Sequence, residues 1–468
     1  MSRDSATDIR VPHPDALRVE SVDLDAQGIA HDATGKVVFI ENALPDEWVL
    51  YQSTHRKAKW SKGIVLERFN ESHLRIQSKC EHFGFERGAC GGCKMHHVDP
   101  WAQVSLKQRS LMDQLWHLGK CKPEQILRPL TGPFLGYRHR GRLSVRYVQK
   151  RDEVLVGFHE RSSRYIADIQ RCAVLPKCLS DLLLPLRALV HGMDARETIP
   201  QIEFAIGGNV LALVLRHLQP LSDKDVRALN TFAHLHGVEW WLQPSGPASV
   251  HLMAEHEASN LAYEVPEFGI KMPFLPTDFT QVNHHVNQLM IHQALNLMEI
   301  QETDRIIDWF CGLGNFTLPI ATLAKQVIGI EGNDQLVDRA KSNWAFNQTR
   351  VVHLGLPPLA EASFITRNLF EFSASDLHQL PHARVWLWDP PREGAFALSK
   401  ALADWHQAST DDWVPPQRIV YVSCNPATLA RDAGLLVNQA GYVCKKAGIL
   451  DMFPQTAHVE SMAVFERQ

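Results

Sequence analysis

The chain lacks long hydrophobic runs, has few cysteines, and carries little net charge. No apolar stretch reaches the roughly 20 residues that a membrane-spanning helix needs, and the start Met1-Ser-Arg-Asp-Ser-Ala6 is polar, which predicts a cytoplasmic protein without a membrane partner. Nine cysteines in 468 residues are too few for a disulfide scaffold. The formal charge of −4 gives no overall basic footprint for nucleic acid. Without repeats or low-complexity tracts, the sequence indicates a globular protein of two or three domains, and it points to no obligatory protein partner.

Cys424 lies where a predicted strand ends. The run Arg418-Ile-Val-Tyr-Val-Ser423 is rich in β-branched residues, and Asn425-Pro426 breaks it directly after the thiol. In a doubly wound α/β domain the carboxyl rim of the sheet is where ligands bind. A thiol at that rim can act as a nucleophile, whereas a buried inert cysteine is the alternative for a cysteine considered alone.

A glycine-containing loop follows an earlier predicted strand, Arg305-Ile-Ile-Asp-Trp309, which runs into Gly312 and Gly314. Glycines there let the backbone approach a nucleotide, although a strand-to-helix turn needs glycine for steric reasons alone. Glu331 ends the next predicted strand, 19 residues after Gly312, a separation at which a carboxylate can hold both ribose hydroxyls. With Asp308 in register, the pattern indicates an adenosine-containing cofactor. The missing third glycine favours S-adenosylmethionine over NAD.

A third strand is predicted to deliver a carboxylate to the same rim. Val385-Trp-Leu-Trp388 precedes Asp389-Pro-Pro-Arg-Glu-Gly394, where proline rigidity fixes the carboxylate toward the crevice. An ordinary strand-ending aspartate is the alternative. A final block, Leu450 to Met462, adds a further set of polar residues. The combination is much more specific than any one block.

Together these blocks resemble RNA uracil-5-methyltransferases, and the resemblance covers nearly the whole chain. It rests on Phe279-Thr-Gln-Val-Asn283, the Asp308 to Phe316 loop, Asp389-Pro-Pro391, Ser423-Cys-Asn-Pro426 and His458-Val-Glu-Ser461. The cysteine cluster and the N-terminal segment most resemble the bacterial 23S ribosomal RNA branch, which carries an iron-sulfur cluster. The resemblance implies a Rossmann-like class I methyltransferase domain that uses S-adenosyl-L-methionine and has 23S ribosomal RNA as its partner.

The resemblance also implies the catalytic roles. C5 of uracil is a poor nucleophile, so a thiolate adds to C6 and places electron density at C5; Cys424 matches that nucleophile. Glu460 matches the general base that removes the C5 proton, and burial can raise its proton affinity. A surface acid on a terminal strand is the alternative for Glu460. Asp389 is implied to orient the uracil, and Arg392 and Arg431 are candidate cations near the thiolate.

Eight residues fall on the family's cofactor positions. For Asn368, an ordinary polar loop residue is the alternative. The eight are Gln281, Phe310, Gly312, Gly314, Asn315, Glu331, Asn368 and Asp389.

Four cysteines form a candidate metal site. Cys80, Cys90 and Cys93 are followed at a distance by Cys172, and four thiolates suit either zinc or an iron-sulfur cluster. The resemblance implies a [4Fe-4S] cluster on these four residues. The chain departs from the family in one respect, because nine residues separate Cys80 from Cys90 where the family has a shorter gap. A longer loop can still reach, since loop-closure entropy grows slowly with length.

The domain organisation follows from changes in pattern along the chain. Residues 1–16 are expected to form a flexible extension, and 17–76 read as five short strands, typical of an OB-like barrel and similar to a TRAM domain. Residues 77–273 are expected to form a β-rich central iron-sulfur domain, with a helix over about 101–118 that could instead dock on the catalytic domain. Residues 274–468 alternate strand and helix, which predicts a mostly parallel sheet.

Two basic and aromatic runs are candidate RNA surfaces. His55-Arg-Lys-Ala-Lys-Trp-Ser-Lys62 mixes cations with a ring, and alternation predicts Arg138, Arg140 and Arg142 on one face of a strand. Ordinary solvated charge is the alternative. Three functions therefore compete: a 23S ribosomal RNA uracil-5-methyltransferase, a transfer RNA methyltransferase with the same chemistry, and a non-catalytic RNA-binding protein.

Overall fold

The structure, a computed structural model, describes residues 13–253, 261–408 and 413–468. Most of the expected extension over residues 1–16 therefore lies outside the described residues. The chain divides into two compact units, the first drawn from Met1–Lys107, Phe158–Ile169 and Pro454–His458 and the second from Gln108–Gly157, Gln170–Phe453 and Val459–Gln468. Within residues 13–253, 261–408 and 413–468, no helix has both the length and the apolar character needed to cross a membrane. The boundaries expected after residues 76 and 273 remain predictions.

The first unit contains a six-stranded sheet with the order β1-β5-β6-β4-β3-β2. Its strands are β1 (Leu17–Arg18), β2 (Ser21–Val22), β3 (Gln27–His31), β4 (Val37–Glu41), β5 (Trp48–Arg56) and β6 (Trp60–Arg68). Leu17 pairs with β5 and Ser21 pairs with β3, so one short segment joins the two edges of the sheet. Val19, Ala30, Val38, Ile40 and Val49 fill the interior. The five short strands expected over residues 17–76 are present as β1, β3, β4, β5 and β6, and β2 is an additional strand.

The predicted helix over about 101–118 is present as α1 (Pro100–His117). Asp99 caps its start, because its carboxylate accepts hydrogen bonds from the amides of Trp101 and Ala102. In the second unit, the Gln108 side chain accepts a hydrogen bond from the Ile449 amide at 3.1 Å.

The second unit begins with a six-stranded sheet of order β13-β12-β11-β10-β8-β9. Strands β10, β11 and β12 are neighbours in this sheet. The elements of this region are β7 (Gln125–Ile126), β8 (Arg140–Val148), β9 (Glu153–Gly157), α2 (Lys177–Ser180), α3 (Leu183–Gly192), β10 (Gln201–Gly207), β11 (Val210–Arg216), α4 (Asp223–His236), β12 (Val238–Gln243), β13 (His251–Leu252), β14 (Ala262–Val265) and β15 (Ile270–Pro273).

The alternating strands and helices predicted from residue 274 onward are also present. They are α5 (His284–Met298), β16 (Arg305–Trp309), α6 (Thr317–Ile320), β17 (Gln326–Glu331), α7 (Asp334–His353), β18 (Glu361–Thr366), α8 (Ala374–Leu377), β19 (Val385–Trp388), α9 (Phe396–Ala408), β20 (Arg418–Ser423), α10 (Pro426–Gln439), β21 (Tyr442–Leu450) and β22 (Glu460–Arg467).

These strands form an eight-stranded sheet of order β18-β17-β16-β19-β20-β22-β21-β7. The five strands from β18 to β20 are parallel, and β22 is antiparallel to β20. The buried side chains of Ile306, Val385, Val420 and Met462 belong to the core beneath it. The chain progresses to opposite sides from β16 and β19, so the carboxyl rim between them is the topological switch point, where α/β sheets bind ligands.

Candidate active site

Strand pairing brings Cys424 and Glu460 together. Ser423 ends β20 opposite Ser461 in β22, and the Ser461 hydroxyl donates a hydrogen bond to the Ser423 carbonyl oxygen at 3.0 Å. Cys424 is the next residue after Ser423, and Glu460 is the residue before Ser461. Cys424 and Glu460 therefore lie just beyond the last residue pair of these two strands, at the carboxyl rim of the parallel strands.

The two groups hold their protons tightly. Burial raises the pKa of Cys424 to about 12, with the charges of Glu460 and Asp389 adding to the effect. Burial and the charge of Asp389 raise the pKa of Glu460 well above its ordinary value. The Cys424 side chain remains partly exposed, whereas Glu460 is 2% exposed. A partly exposed cysteine thus lies beside a buried carboxyl group.

Asp389 and Asp308 extend the acidic cluster along the rim. Asp389 follows β19, is partly exposed, and has its pKa raised by burial to about 7. Asp308 lies inside β16 and is fully buried; burial raises its pKa to about 8, and the charges of Asp389 and Glu331 contribute. The Thr317 hydroxyl donates to Asp308 Oδ2 at 2.5 Å. Four acidic groups therefore line the ends of β16, β17, β19 and β22.

Arg392 is the cation that opposes the raised pKa of Cys424. The Asn425 side-chain amide and the Thr428 hydroxyl each donate to the Arg392 carbonyl oxygen at 3.2 Å, which fixes the loop after Asp389-Pro-Pro beside the turn that holds the thiol. The other candidate, Arg431, donates instead to Asp432 at 2.8 Å and to the Glu393 carbonyl oxygen at 2.7 Å. The charge of Arg392 lowers the pKa of Cys424, whereas the Arg431 guanidinium is hydrogen-bonded to Asp432 and Glu393.

The glycine loop after β16 is organised around Glu331. Gly312 and Gly314 both have positive φ, of 54° and 99°, which explains glycine at both positions. One carboxylate oxygen of Glu331 accepts from the Gly312 amide at 3.1 Å, and the other accepts from the amides of Gly332 and Asn333. The glycine loop and the acid at the end of β17 are therefore in direct contact, and the use of Glu331 for ribose hydroxyls remains a prediction.

The remaining predicted cofactor positions lie on neighbouring segments. Phe310 adopts a φ of 61° at the end of β16, with its ring centre 6.4 Å from that of Phe370. Asn368 is exposed after β18 and accepts a hydrogen bond from the Phe370 amide at 3.1 Å. Gln281 is half-buried two residues before Asn283, whose side chain caps α5. Asn315 lies at the end of the glycine loop and is half-buried.

Three of the predicted metal ligands belong to the first unit. Cys80, Cys90 and Cys93 are partly buried free thiols, and burial raises the pKa of Cys90, with a further contribution from Cys80. Cys172 belongs to the second unit, where its amide donates to the Ser180 hydroxyl at 2.9 Å. In the part of the chain that the structure describes, no three His, Cys, Asp or Glu residues form a group that could hold a metal ion.

The two candidate RNA surfaces differ in how far they match the sequence prediction. In the first unit, the rings of His55 and Trp60 lie 5.4 Å apart, and the Lys62 ammonium group is 5.9 Å from the Trp60 ring centre. In the second unit, the prediction for Arg138 is wrong, because β8 begins at Arg140. Arg142 pairs with Glu203 at 2.8 Å. The antiparallel pairing of β8 begins at residue 140, so two of the three arginines, Arg140 and Arg142, lie in the strand.

Sequence reasoning missed two residues that hold the glycine loop, Tyr263 and Asn287. Both contact the Asn315 side chain. Asn287 is a polar residue on the buried face of α5, one helical turn after Asn283, and this spacing is a signal that could have identified it. Tyr263 lies in a short hairpin outside every recognisable motif, and no signal in the sequence marked it.

Comparison with known proteins places the chain in a family. Residues 134–468 match the tRNA (Uracil-5-)-methyltransferase family. The chain is 58% identical over 467 residues to the 23S rRNA (uracil(1939)-C(5))-methyltransferase RlmD of Paracidovorax citrulli, covering 97% of this chain and 94% of that protein. It is 52% identical over 457 residues to the protein of the same name from Cupriavidus pinatubonensis, covering 97% and 95%.

The fold is similar to the crystal structure of Pyrococcus abyssi tRNA (uracil-54, C5)-methyltransferase in complex with S-adenosyl-L-homocysteine, with a TM-score of 0.68 over 96% of this chain and 100% of that one. At 19% identity, this likeness concerns the fold alone. It agrees with the predicted Rossmann-like class I architecture. From its motifs, its sheet and its relatives, the chain belongs to the RNA uracil-5-methyltransferase family.

Proposed function

We propose that this protein transfers a methyl group from S-adenosyl-L-methionine to C5 of a uridine in 23S ribosomal RNA. The observation that carries the proposal is the position of Cys424 beside Glu460 and Asp389, on the rim that also holds the Gly312 to Glu331 contact. Relatives named for this reaction are 58% and 52% identical over nearly the full chain. Motif residues and relatives thus support the same reaction.

The proposed chemistry begins at the thiol. Cys424 loses its proton to solvent and its sulfur bonds to C6 of the uracil, which moves the electrons of the C5–C6 double bond to C5. C5 then takes the methyl group from the sulfonium, which leaves as S-adenosylhomocysteine. Glu460 removes the surplus C5 proton, and the electron pair re-forms the C5–C6 double bond as the sulfur departs. The ionised carboxylate of Glu460 suits this role, because burial raises its affinity for the proton that it takes from C5.

The raised pKa of Cys424 is the obstacle in this scheme, because the thiolate is the reactive species. We propose that Arg392 stabilises the thiolate, since its positive charge already acts against the effects of burial, Glu460 and Asp389. Asp389 would orient the uracil edge by hydrogen bonding. With its pKa near 7 it is able to donate or accept a proton in that bond.

The cofactor is proposed to bind over the glycine loop. Glu331 would hold the ribose hydroxyls, and the backbone of Gly312 and Gly314 would approach the ligand closely. Gln281, Phe310, Asn315, Asn368 and Asp389 complete the proposed set. In open α/β sheets, ligands bind at the carboxyl ends of the strands. Phe310, Glu331 and Asp389 lie at the carboxyl ends of β16, β17 and β19.

A stacked uracil cannot reach a rim-bound thiol, so the target base is proposed to flip out of its RNA, at a cost of a few kcal/mol. Phe279, which is 69% exposed, is proposed to stack on the base or to fill its vacated place. The six-stranded sheet of the first unit, with Trp60 and Lys62 on its hairpin, is proposed to be a TRAM-like RNA-binding module.

A [4Fe-4S] cluster is proposed on Cys80, Cys90, Cys93 and Cys172. The thiolate donor set and the resemblance to the cluster-carrying branch support this proposal, and zinc is the competing occupant. Anaerobic purification followed by visible spectroscopy and iron, sulfide and zinc analysis tests it. Iron and sulfide with broad visible absorption are expected; a colourless protein that contains zinc would overturn the proposal.

The transfer RNA reading is the second candidate, since the family and the similar crystal structure are named for tRNA. Incubation with radiolabelled methyl donor and separated RNA species distinguishes the candidates. Label in 23S RNA at C5 of uridine is the expected result. Label in transfer RNA would favour the second candidate, and no label in any RNA would leave a non-catalytic RNA-binding protein.

A further inference from the structure

The side chain of Asn315 is held by two buried residues outside the recognised motifs. The Tyr263 hydroxyl donates to Asn315 Oδ1 at 2.7 Å. Asn287 makes a reciprocal amide pair, donating to Asn315 Oδ1 at 3.0 Å and accepting from Asn315 Nδ2 at 3.0 Å. Tyr263 is 5% exposed and Asn287 is 1% exposed. The contacts join the β14–β15 hairpin and helix α5 to the glycine loop.

These contacts leave a defined hydrogen-bonding capacity on Asn315. An amide oxygen accepts two hydrogen bonds and an amide nitrogen donates two. Both acceptor positions of Asn315 are filled by Tyr263 and Asn287, and one of its two N–H groups is taken by Asn287. Among the described residues, these contacts leave Asn315 a single N–H donor, so a ligand contact through this side chain requires an acceptor atom on the ligand.

Tyr263 is itself rigidly placed. Its ring packs 5.6 Å from the ring of His284 and 6.0 Å from that of Phe274, and its strand is paired with β15 opposite Met272. Burial raises the pKa of Tyr263 far above its ordinary value, so the hydroxyl keeps its proton and remains a donor at every working pH.

Other contacts hold the backbone of the loop. Asn343 donates to the Leu313 carbonyl oxygen at 3.1 Å, and the Gly312 amide binds Glu331. The Gly314 amide also donates to the Cys311 carbonyl oxygen at 2.9 Å. Loss of the Tyr263 hydroxyl therefore leaves these restraints on the loop in place and removes one of the restraints on the Asn315 side chain.

We propose that Tyr263 and Asn287 are positioning residues that orient Asn315 so that its remaining N–H group faces an acceptor of the adenosine cofactor. The inference rests on the proposed use of S-adenosylmethionine at this loop. A pre-oriented donor costs less conformational entropy on binding than one that rotates freely.

Tyr263→Phe tests the inference, with Tyr442→Phe as its matched control. The Tyr442 hydroxyl is likewise buried and donates at 2.7 Å to a carbonyl oxygen, that of Pro416. Pro416 precedes β20 and Tyr442 begins β21, so this bond lies at the amino end of β20. The glycine loop lies at the carboxyl end of the parallel strands. Both variants lose one buried hydroxyl, and only one of the two hydroxyls contacts Asn315.

Calorimetric titration with S-adenosylmethionine and steady-state methyl transfer give the readout. Tyr263→Phe is expected to raise the Kd and KM for S-adenosylmethionine about tenfold while kcat at saturating cofactor stays within about twofold. Tyr442→Phe should leave both constants unchanged although its Tm falls by a similar amount. An unchanged Kd in Tyr263→Phe, or equal rises in the two variants, would overturn the proposal.

A double-mutant cycle separates positioning from general destabilisation. In an Asn315→Ala background, Tyr263→Phe and Asn287→Ala should have almost no further effect on cofactor affinity, because they act through the missing amide. Fully additive effects would refute that route. If the wild-type protein binds no S-adenosylmethionine, the proposed function fails; if it binds and the variants match it, only the positioning role fails.

Discussion

Ser423 and Ser461 are directly opposed across β20 and β22, and the Ser461 hydroxyl binds the Ser423 carbonyl oxygen at 3.0 Å. This bond fixes the register one residue before Cys424 and one residue after Glu460. A one-residue slip would turn every side chain of β22 to the other face of the sheet. The pairing of the proposed nucleophile with the proposed base is therefore built into the sheet.

Replacing the proposed nucleophile should abolish turnover and spare cofactor binding. We expect Cys424→Ala to lower the rate of uridine methylation by at least about a thousandfold, because C5 is no longer activated. Its Kd for S-adenosylmethionine should stay unchanged, since the Gly312 to Glu331 contact is untouched. Cys178→Ala removes an exposed free thiol and should keep full activity. Methylation by Cys424→Ala at a rate near that of the control would refute the nucleophile.

Replacing the proposed base should stop the reaction after methyl transfer. In Glu460→Gln the C5 proton has no acceptor, so the sulfur cannot leave the methylated ring. Rapid-quench measurement with radiolabelled methyl donor should show up to one methyl group per enzyme, on RNA that stays bound to the protein under denaturing conditions. Repeated turnover at the wild-type rate would show that another group removes the proton.

Alkylation of Cys424 should report the opposed effects of Arg392 and Glu460 on the thiol. Only the thiolate reacts with iodoacetamide, so the rate at a fixed pH below 12 follows the thiolate fraction. Removal of a nearby positive charge raises a thiol pKa, and each pKa unit changes the rate about tenfold. Arg392→Gln should therefore react more slowly than the wild type, and Glu460→Gln should react faster.

Mass spectrometry of the peptide that contains Cys424 measures these rates. Arg109→Gln is the control, since it removes an exposed arginine whose partner is Asp113, and it should leave the rate unchanged. An unchanged or faster rate in Arg392→Gln would exclude that arginine as the stabilising cation.

The buried carboxyl group of Asp308 should make folding depend on pH. Its pKa is about 8 in the folded protein against an ordinary value of 3.8, so its stabilising contribution is complete below about pH 4 and is lost as the pH rises to 8. Relative to the wild type, Asp308→Asn should gain stability over that window at up to about 1.4 kcal/mol per pH unit. Urea denaturation at several pH values measures the difference. A difference that stays constant from pH 5 to pH 8 would contradict the raised pKa.

Much of the sheet was predictable from local pattern. The runs ending at Trp309, Trp388 and Ser423 are short, apolar and rich in β-branched or aromatic residues, and all three are strands of the parallel sheet. The turn at Gly312 was also predictable, because glycine favours the positive φ that this strand-to-helix turn requires. These features depend on neighbouring residues in the chain, so the sequence alone carries them.

Long-range features were not predictable in this way. Glu460 reaches Cys424 through the pairing of β22 with β20, and local periodicity says nothing about which strands become neighbours. Glu460 was identified as a candidate base from the resemblance to a family. The contact of Tyr263 with Asn315, 52 residues away, belongs to no motif. The direction of the Cys424 pKa shift likewise depends on burial and on acidic neighbours that only the folded chain brings together.

The most direct test of the central claim is a covalent trap. RNA in which 5-fluorouridine replaces the target uridine carries no C5 proton, so the adduct with the attacking sulfur cannot break down after methyl transfer. Incubation with S-adenosylmethionine, digestion and mass spectrometry should locate a methylated fluorouridine nucleotide on Cys424. A nucleotide attached to any other residue, or uncrosslinked RNA alongside a wild-type protein that methylates normal substrate, would contradict the account.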